Sequence, residues 1–334
     1  MKEERSRSVF WPVLMIAVGV IWLLGNLNVG IPEFNFLLLL RLWPLLLVVG
    51  GINLIIGRRW PLLRAVVVLL GIAVALAYVY LAPQYGLVAT PEIKHAAFSE
   101  PLGETESATV FIGSSVGRIT LVALNDSSNL FEAELDYLGE VEFTVEGDAE
   151  KTVRLDSDAD EFNTDFLDAF DASDVDQLEW SIGISPEVPI VLEFSSGVGE
   201  IVLDLSGLMV AGVDLKGGVG QTELRLPASD DPYSVTINGG VGEVLVVIAD
   251  GAEIDLRVDG GVGRIVIDVP DNAGVEVNAD LGVGNIDVPG DYNLTSGGTQ
   301  MIGSSGTWES PNFDEADYQI EIHFDGGVGN LVIK

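Results

Sequence analysis

Hydrophobic and polar positions follow two different rules along this chain, and the change comes near residue 90. Before it, apolar residues run almost unbroken at 10–27, 36–57 and 60–81. Each run holds about 18 to 22 residues, enough to cross roughly 30 Å of hydrocarbon at about 1.5 Å per residue. One apolar stretch with a cleavage site would read as a signal peptide, but three long runs do not. The pattern therefore predicts a cytoplasmic tail at 1–9, three transmembrane helices within 10–83 and a linker at 84–93. Beyond the linker, apolar and polar residues alternate in short runs, which predicts β-strands in a domain at 94–334.

Each apolar run carries a Trp-Pro pair: Trp11-Pro12, Trp43-Pro44 and Trp60-Pro61. Trp favours the membrane interface, and Pro fits a first helical turn, where its missing N–H has no partner to lose. Trp43-Pro44 lies inside its run, so that helix begins late or kinks there. Arg41 lies near enough to an interface to snorkel. Lys2, Arg5, Arg7, Arg58, Arg59 and Arg64 sit on one side of the three-span layout, while the gap at 28–35 carries only Glu33. The positive-inside rule then puts the N-terminus in the cytoplasm and the β domain outside the cell membrane, with the lipid bilayer as its first partner.

The β-rich part repeats itself. Gly197-Val198-Gly199, Gly218-Val219-Gly220, Gly240-Val241-Gly242, Gly261-Val262-Gly263, Gly282-Val283-Gly284 and Gly327-Val328-Gly329 share one pattern, and Ser115-Val116-Gly117 is an outlier. The final Gly recurs after 21, 22, 21, 21 and then 45 residues, so the last interval is two periods with an insertion. A fixed period in this range signals a solenoid. Each unit holds two short alternating strands parted by Pro, Asp, Asn and Gly turn residues, as in 200–216 and 264–279. No helical periodicity of useful length is present. The prediction is an all-β, right-handed, single-stranded β-solenoid with coils of about 21 residues. The glycines allow a tight turn or close backbone approach, and the Val between them is expected to point inward onto an apolar ladder. The final strand-like segment, 330–334, shows no obvious cap, which leaves a coil end open for self-association.

The glycines match no ligand loop. A dinucleotide loop opening at Gly218-Val219-Gly220 would need Gly where Glu223 stands, and a helix after it. Calcium-binding nonapeptide repeats need Asp at the sixth position, where Ile265, Val244 or Leu331 occurs. Charge separates the two parts further: residues 1–90 carry +4, and the rest carries −39 of the total −35. Such a field repels nucleic acid and favours a basic or cationic partner. The densest acidic stretch, 156–176, starts with Asp156, Asp158 and Asp160 at EF-hand spacing. Glu161 and Leu167 then occupy the positions that need Gly and Glu. It reads as a solvated loop or short amphipathic helix between strands. With no cysteine and only His95 and His323, no triad, thiolate site or histidine metal cluster can be assembled. The chain is expected to be no enzyme and to hold no cofactor, with His95 a surface residue.

The segments 11–20 and 43–51 resemble the membrane region shared by LiaI and LiaF proteins. The segment 92–194, followed by the Gly-Val-Gly units, resembles the toast-rack β domain that accompanies LiaF-like or PspC-like anchors. The resemblance implies a regulator that restrains a sensor histidine kinase in cell-envelope stress signalling, with no catalytic residues of its own. The alternative in keeping with the repeat is an anchored adhesin or scaffold whose solenoids stack end to end.

Overall fold

The computed structural model of the protein describes residues 43–56, 60–81, 93–157, 177–229, 231–299 and 304–334. The chain divides into two compact units, one holding the helices and one the strands. In the first, α1 (Trp43–Ile56) and α2 (Pro61–Leu81) are the described helices. Pro61 opens α2, where φ near −65° is already helical and no N–H bond is lost. Gly71 of α2 lies against Val49 of α1, and a Cβ there would come within 3.0 Å of the Val49 side chain. The small residue lets the two helices approach. Counting described residues alone, no helix is long and apolar enough to cross a membrane. The run at 10–27, the start of the second run, the linker at 84–92 and acidic residues 158–176 lie outside the described residues.

The second unit contains seventeen strands joined in one sheet system. It opens with β1 (Lys94–Pro101), β2 (Ser107–Ala123), β3 (Asn129–Tyr137), β4 (Val141–Glu146), β5 (Glu150–Ser157) and β6 (Glu179–Ile184). Next come β7 (Ile190–Asp204), β8 (Val210–Lys216), β9 (Val219–Leu226), β10 (Tyr233–Asn238), β11 (Val241–Ile248), β12 (Ile254–Asp259) and β13 (Val262–Asp268). The series closes with β14 (Gly274–Asp287), β15 (Asn293–Thr299), β16 (Ser304–Glu309) and β17 (Gln319–Ile333). A coil is a strand, a Gly-Val-Gly corner and a second strand, then a turn. In β2, β7, β14 and β17 the strand runs through the corner without a break.

Stacked coils build two parallel ladders. Before the corner, β2, β7, β8, β10, β12, β17 and β14 pair side by side; after it, the order is β2, β7, β9, β11, β13, β17 and β14. Alternation puts every second residue inside. One inward column runs Ile112, Phe194, Leu215, Ile237, Val258, Phe324 and Ala279, matched residue to residue by register. All seven are buried. The period of two and the buried columns come directly from the alternating sequence.

The structure adds one feature and corrects two expectations. First, the coils are not stacked in chain order: β17, the last strand, sits between β13 and β14 and pairs with both. The 45-residue interval exists because β14 is followed by the β15–β16 hairpin, after which the chain returns into the stack. Second, 330–334 is therefore no open end, since Asn330–Ile333 have neighbours on both sides as far as β14 extends. Third, the corner valines do not point inward, because the chain turns at the glycines that flank them and leaves them half exposed.

Antiparallel strands cover most coil ends. At the N-terminal end β4 pairs antiparallel with β5, and β3 with β6, with β1 antiparallel on β3. Beneath them Phe131 and Trp180 are buried, and the Phe98, Phe143 and Phe131 rings stack at 5.0 and 5.8 Å. At the other end β16 pairs antiparallel with β14, and β15 with β16. Among the described residues, the ladder end without such a cover is 283–287 of β14, a short edge with exposed Asn285 and Asp287. Short, charged edges resist strand addition.

Removing residues 319–334 is expected to unfold the domain cooperatively rather than shave off one coil, because β17 lies inside the stack. Far-UV circular dichroism and thermal melting of the truncated chain check this. A partial, coil-sized loss of signal would contradict it.

Candidate functional site

The twelve repeat glycines all lie at the corner between the two ladders. Both in a triplet are crowded by the backbone of the next coil, and the second glycine is in addition held at positive φ in every triplet. Gly220 has φ +145° and Gly242 φ +142°, and a Cβ on either would come closer than 3.0 Å to the carbonyl oxygen of the equivalent glycine one coil away. Gly199, Gly263, Gly284 and Gly329 make the same approach, to Gly117, Gly242, Gly329 and Gly263. The positive φ and the missing Cβ are thus required together. The first glycines, Gly218, Gly240, Gly261, Gly282 and Gly327, also face a carbonyl of the next coil, and Gly197 holds the same position in β7.

The valine between them stands outward. Val198, Val219, Val241, Val262, Val328 and Val283 are 48–55% exposed, in register from one coil to the next, and Val116 is half-buried at the head of the row. Inversion at the glycine pair explains the difference: the backbone turns the corner here, so the inside–outside alternation of the strand does not carry through. Behind the corner lies a cavity of about 50 Å³ lined by glycine backbone and residues such as Leu215, Ile237 and Val258. Only a water or two would fit, and the lining is mostly apolar.

The outer surface of the second ladder is a shallow groove of about 370 Å³ with Val202, Leu245, Val266 and Val332 along it and Glu223 among them. Its rim, beside the valine row, runs Arg118, Glu200, Gln221, Glu243, Arg264, Asn330 and Asn285. Arg118 binds Glu200 at 2.9 Å and Arg264 binds Glu243 at 3.1 Å. Half-exposed pairs of this kind add little stability, but they make the rim electrically neutral.

The outer surface of the first ladder is different. Asp255, Glu321 and Glu276 stack in one row, and Asp259, Asp325 and Asp280 in another, each directly opposite the next in parallel register. Between them run Arg257, His323 and Asn278. Arg257 donates to Asp255 at 2.9 Å, and that hydrogen bond and charge raise its pKa above the usual arginine value. His323 Nε2 stands 3.9 Å from both Asp255 and Glu321, too far for a hydrogen bond. Among the described residues no group of three or more His, Asp or Glu has metal-binding geometry. His95 is an exposed residue whose Nδ1 is 3.0 Å from Asp136.

Neither the outward valine row nor the stacked carboxylates can be read from composition. A signal was present in the repeat: Asp259 and Asp325 stand at the same place before Gly-Gly-Val-Gly, and Asp280 precedes Leu-Gly-Val-Gly. Residues at equal phase in a solenoid stack, so equal phase with equal charge marks a like-charge column.

The turns opposite the corner are tied across coils. Asp250 accepts from the Tyr318 hydroxyl and from Asn272 at 2.8 Å, and these bonds hold its carboxyl below the usual range. Glu132 is lowered in the same way by Ser127 and Asn129. Burial, with help from Asp291 and Asp271, pushes the Tyr292 phenol up to about 12.

Fold and surface together define a largely capped parallel β-solenoid. Comparison with known families agrees: residues 89–247 match the N-terminal domain of toast_rack, DUF2154, and residues 9–55 match the LiaI-LiaF-like transmembrane region. Two solved structures align with most of the chain. A candidate cell adhesion protein from Clostridium sporogenes ATCC 15579 shares 17% identity over 73% of this chain and 99% of its own, with a TM-score of 0.49. A candidate adhesin from Bacteroides fragilis NCTC 9343 shares 14% over 72% of this chain and 98% of its own, with a TM-score of 0.33. No curated protein matches the chain.

Four outcomes are expected. Gly220→Ala should cost about 3 kcal/mol or more, from strain plus overlap with the adjacent carbonyl. Gly290→Ala, where a Cβ meets nothing, should be near neutral in the same thermal melts. Asp325→Asn relieves two like-charge contacts and should raise the melting temperature by about 1–4 °C, less in high salt. Because the folded pKa of Asp250 is depressed, its contribution is present above the unfolded value near 3.8 and is lost as pH falls through the folded one. Tyr318→Phe should therefore flatten the fall of melting temperature below about pH 5.

Proposed function

We propose that this protein is a non-enzymatic, LiaF-like envelope regulator that acts by contact within and beside the bacterial cell membrane. The observation that carries the reading is the surface of the two helices. Leu47, Ile55, Trp60, Leu63, Val66, Leu69, Leu70 and Val74 are all 45–87% exposed. Apolar surface of this extent is unfavourable in water and suits a lipid environment or other membrane helices. The match of residues 9–55 to a LiaI-LiaF-like transmembrane region supports the same reading.

In this proposal three spans anchor the chain, with the N-terminus in the cytoplasm and the β domain outside, as the basic residues around them suggest. The helices pair laterally with those of a sensor histidine kinase, and Gly71 against Val49 supplies an example of the close packing such pairing uses. The solenoid winds right-handed, the hand taken by most crossovers between parallel strands. It serves as a rigid ladder for a partner or ligand outside the cell. The charge of −39 carried beyond residue 90 disfavours nucleic acid as that partner. End-to-end stacking as a scaffold has less support, since antiparallel strands cover three of the four ladder ends and the fourth is short and polar.

The absence of cysteine makes topology directly measurable. A single Ser234→Cys chain in intact cells is expected to react with a membrane-impermeant maleimide, and protection until lysis would refute the external placement. In-cell crosslinking should recover a histidine kinase, and deletion should alter envelope-stress signalling. No kinase among the crosslinks, together with normal signalling in the deletion strain, would sink the regulatory role.

A further inference from the structure

We propose that the row of corner valines is a self-association ridge, through which two copies of this chain pair side by side and antiparallel. Six valines of one residue type, each about half exposed, stand one coil apart in strict register, with Val116 as a seventh at one end. At the strand spacing of about 4.8 Å the row is on the order of 29 Å long. Glycine flanks each of these six valines on both sides, so no neighbouring side chain on the strand screens them.

The repeat itself argues for the occupant. A row of identical side chains at the interstrand spacing is matched along its whole length by another row with the same spacing, as in the dry interdigitated zippers between paired sheets. A second copy provides that row and meets it by a two-fold axis. The rim charges agree. With the axis midway between Val219 and Val241, Val198 faces Val262 and Val116 faces Val328 of the second copy. Glu200 then faces Arg264, Gln221 faces Glu243, and Arg118 faces Asn330, each pair occurring twice. On the other flank Ser195 faces Asp259 and Lys216 faces Asn238. No like charges meet on either flank.

The ridge offers only roughly 300 Å² per copy, so the pair buries less than the about 1,000 Å² of a stable complex. The two domains also repel through their net charge. Pairing is therefore weak in dilute solution, rises with salt, and strengthens when copies share one membrane, which raises their effective concentration. Only this last point rests on the membrane reading; the ridge itself does not.

The test uses full-length chain in liposomes, with two differently tagged populations carrying Val198→Cys and Val262→Cys. Mild oxidation is expected to give a mixed-tag covalent dimer at least about fivefold above Ser234→Cys mixed with itself, which lies on the other ladder. Yield should rise as salt goes from about 0.05 to 0.5 M. Val219→Glu with Val241→Glu, added to the cysteine chains, should return the yield to background while the far-UV spectrum and melting curve hold. Background yield in the unmodified ridge would overturn the proposal. So would an equal or greater yield from Val198→Cys mixed with itself, or a crosslink to a different protein instead of a second copy.

Discussion

Everything in the β domain depends on one close contact, the approach of a glycine Cα to a carbonyl oxygen one coil away at the corner. The coils stack at the distance set by parallel hydrogen bonds, and the corner must turn within that distance. Gly220 and Gly242 meet it with φ near +145°, where an ordinary side chain would be strained and would collide with backbone. Because the colliding atom is backbone, no side-chain rearrangement can relieve it. This fixes the phase of every coil, and equal phase then puts Val over Val and core residue over core residue along the stack.

That phase-locking has opposite results on the two sides of the strand. Inside, it lines up Phe194, Leu215, Ile237 and Val258, and like beside like is favourable because all are apolar. Outside, it also lines up Asp259, Asp325 and Asp280, where like beside like is repulsive. The second ladder avoids the problem by alternating Arg118 with Glu200 and Glu243 with Arg264. Two surfaces of unlike character thus arise from one repeat: a concentrated acidic face, and a neutral rim beside an apolar groove and ridge. The neutral side can approach a neighbour that the acidic side would repel.

The N-terminal unit depends on a different constraint. Its helices have no polar face, so their stability does not come from the amphipathic packing that holds a helix on a water-soluble core. The leucines and valines of α1 and α2 stay exposed over much of their surface, while Gly71 lets the two helices approach at Val49. The regulatory proposal joins this to the β domain: the helices provide the lateral contacts and the solenoid the external ones.

The sequence by itself determined the division near residue 90, the β character of the C-terminal part, the coil length and the corner glycines. Each of these is a local property, a matter of run length, alternation of period two, or a residue without Cβ at a fixed interval. It also marked the helix start at Pro61. Only the tertiary structure decided that β17 enters between β13 and β14, that strands turn antiparallel at the ends, and that the valines face outward. Strand order is a choice among partners far apart in sequence with nearly interchangeable alternation, and Ile320, Ile322 and Phe324 would suit an end coil as well as an inner one. The valines were misjudged for a related reason. Alternation tells inside from outside only along a continuous strand, and at Gly-Val-Gly the backbone turns, so the direction of the side chain is set by the stacked neighbour and not by the residues on either side.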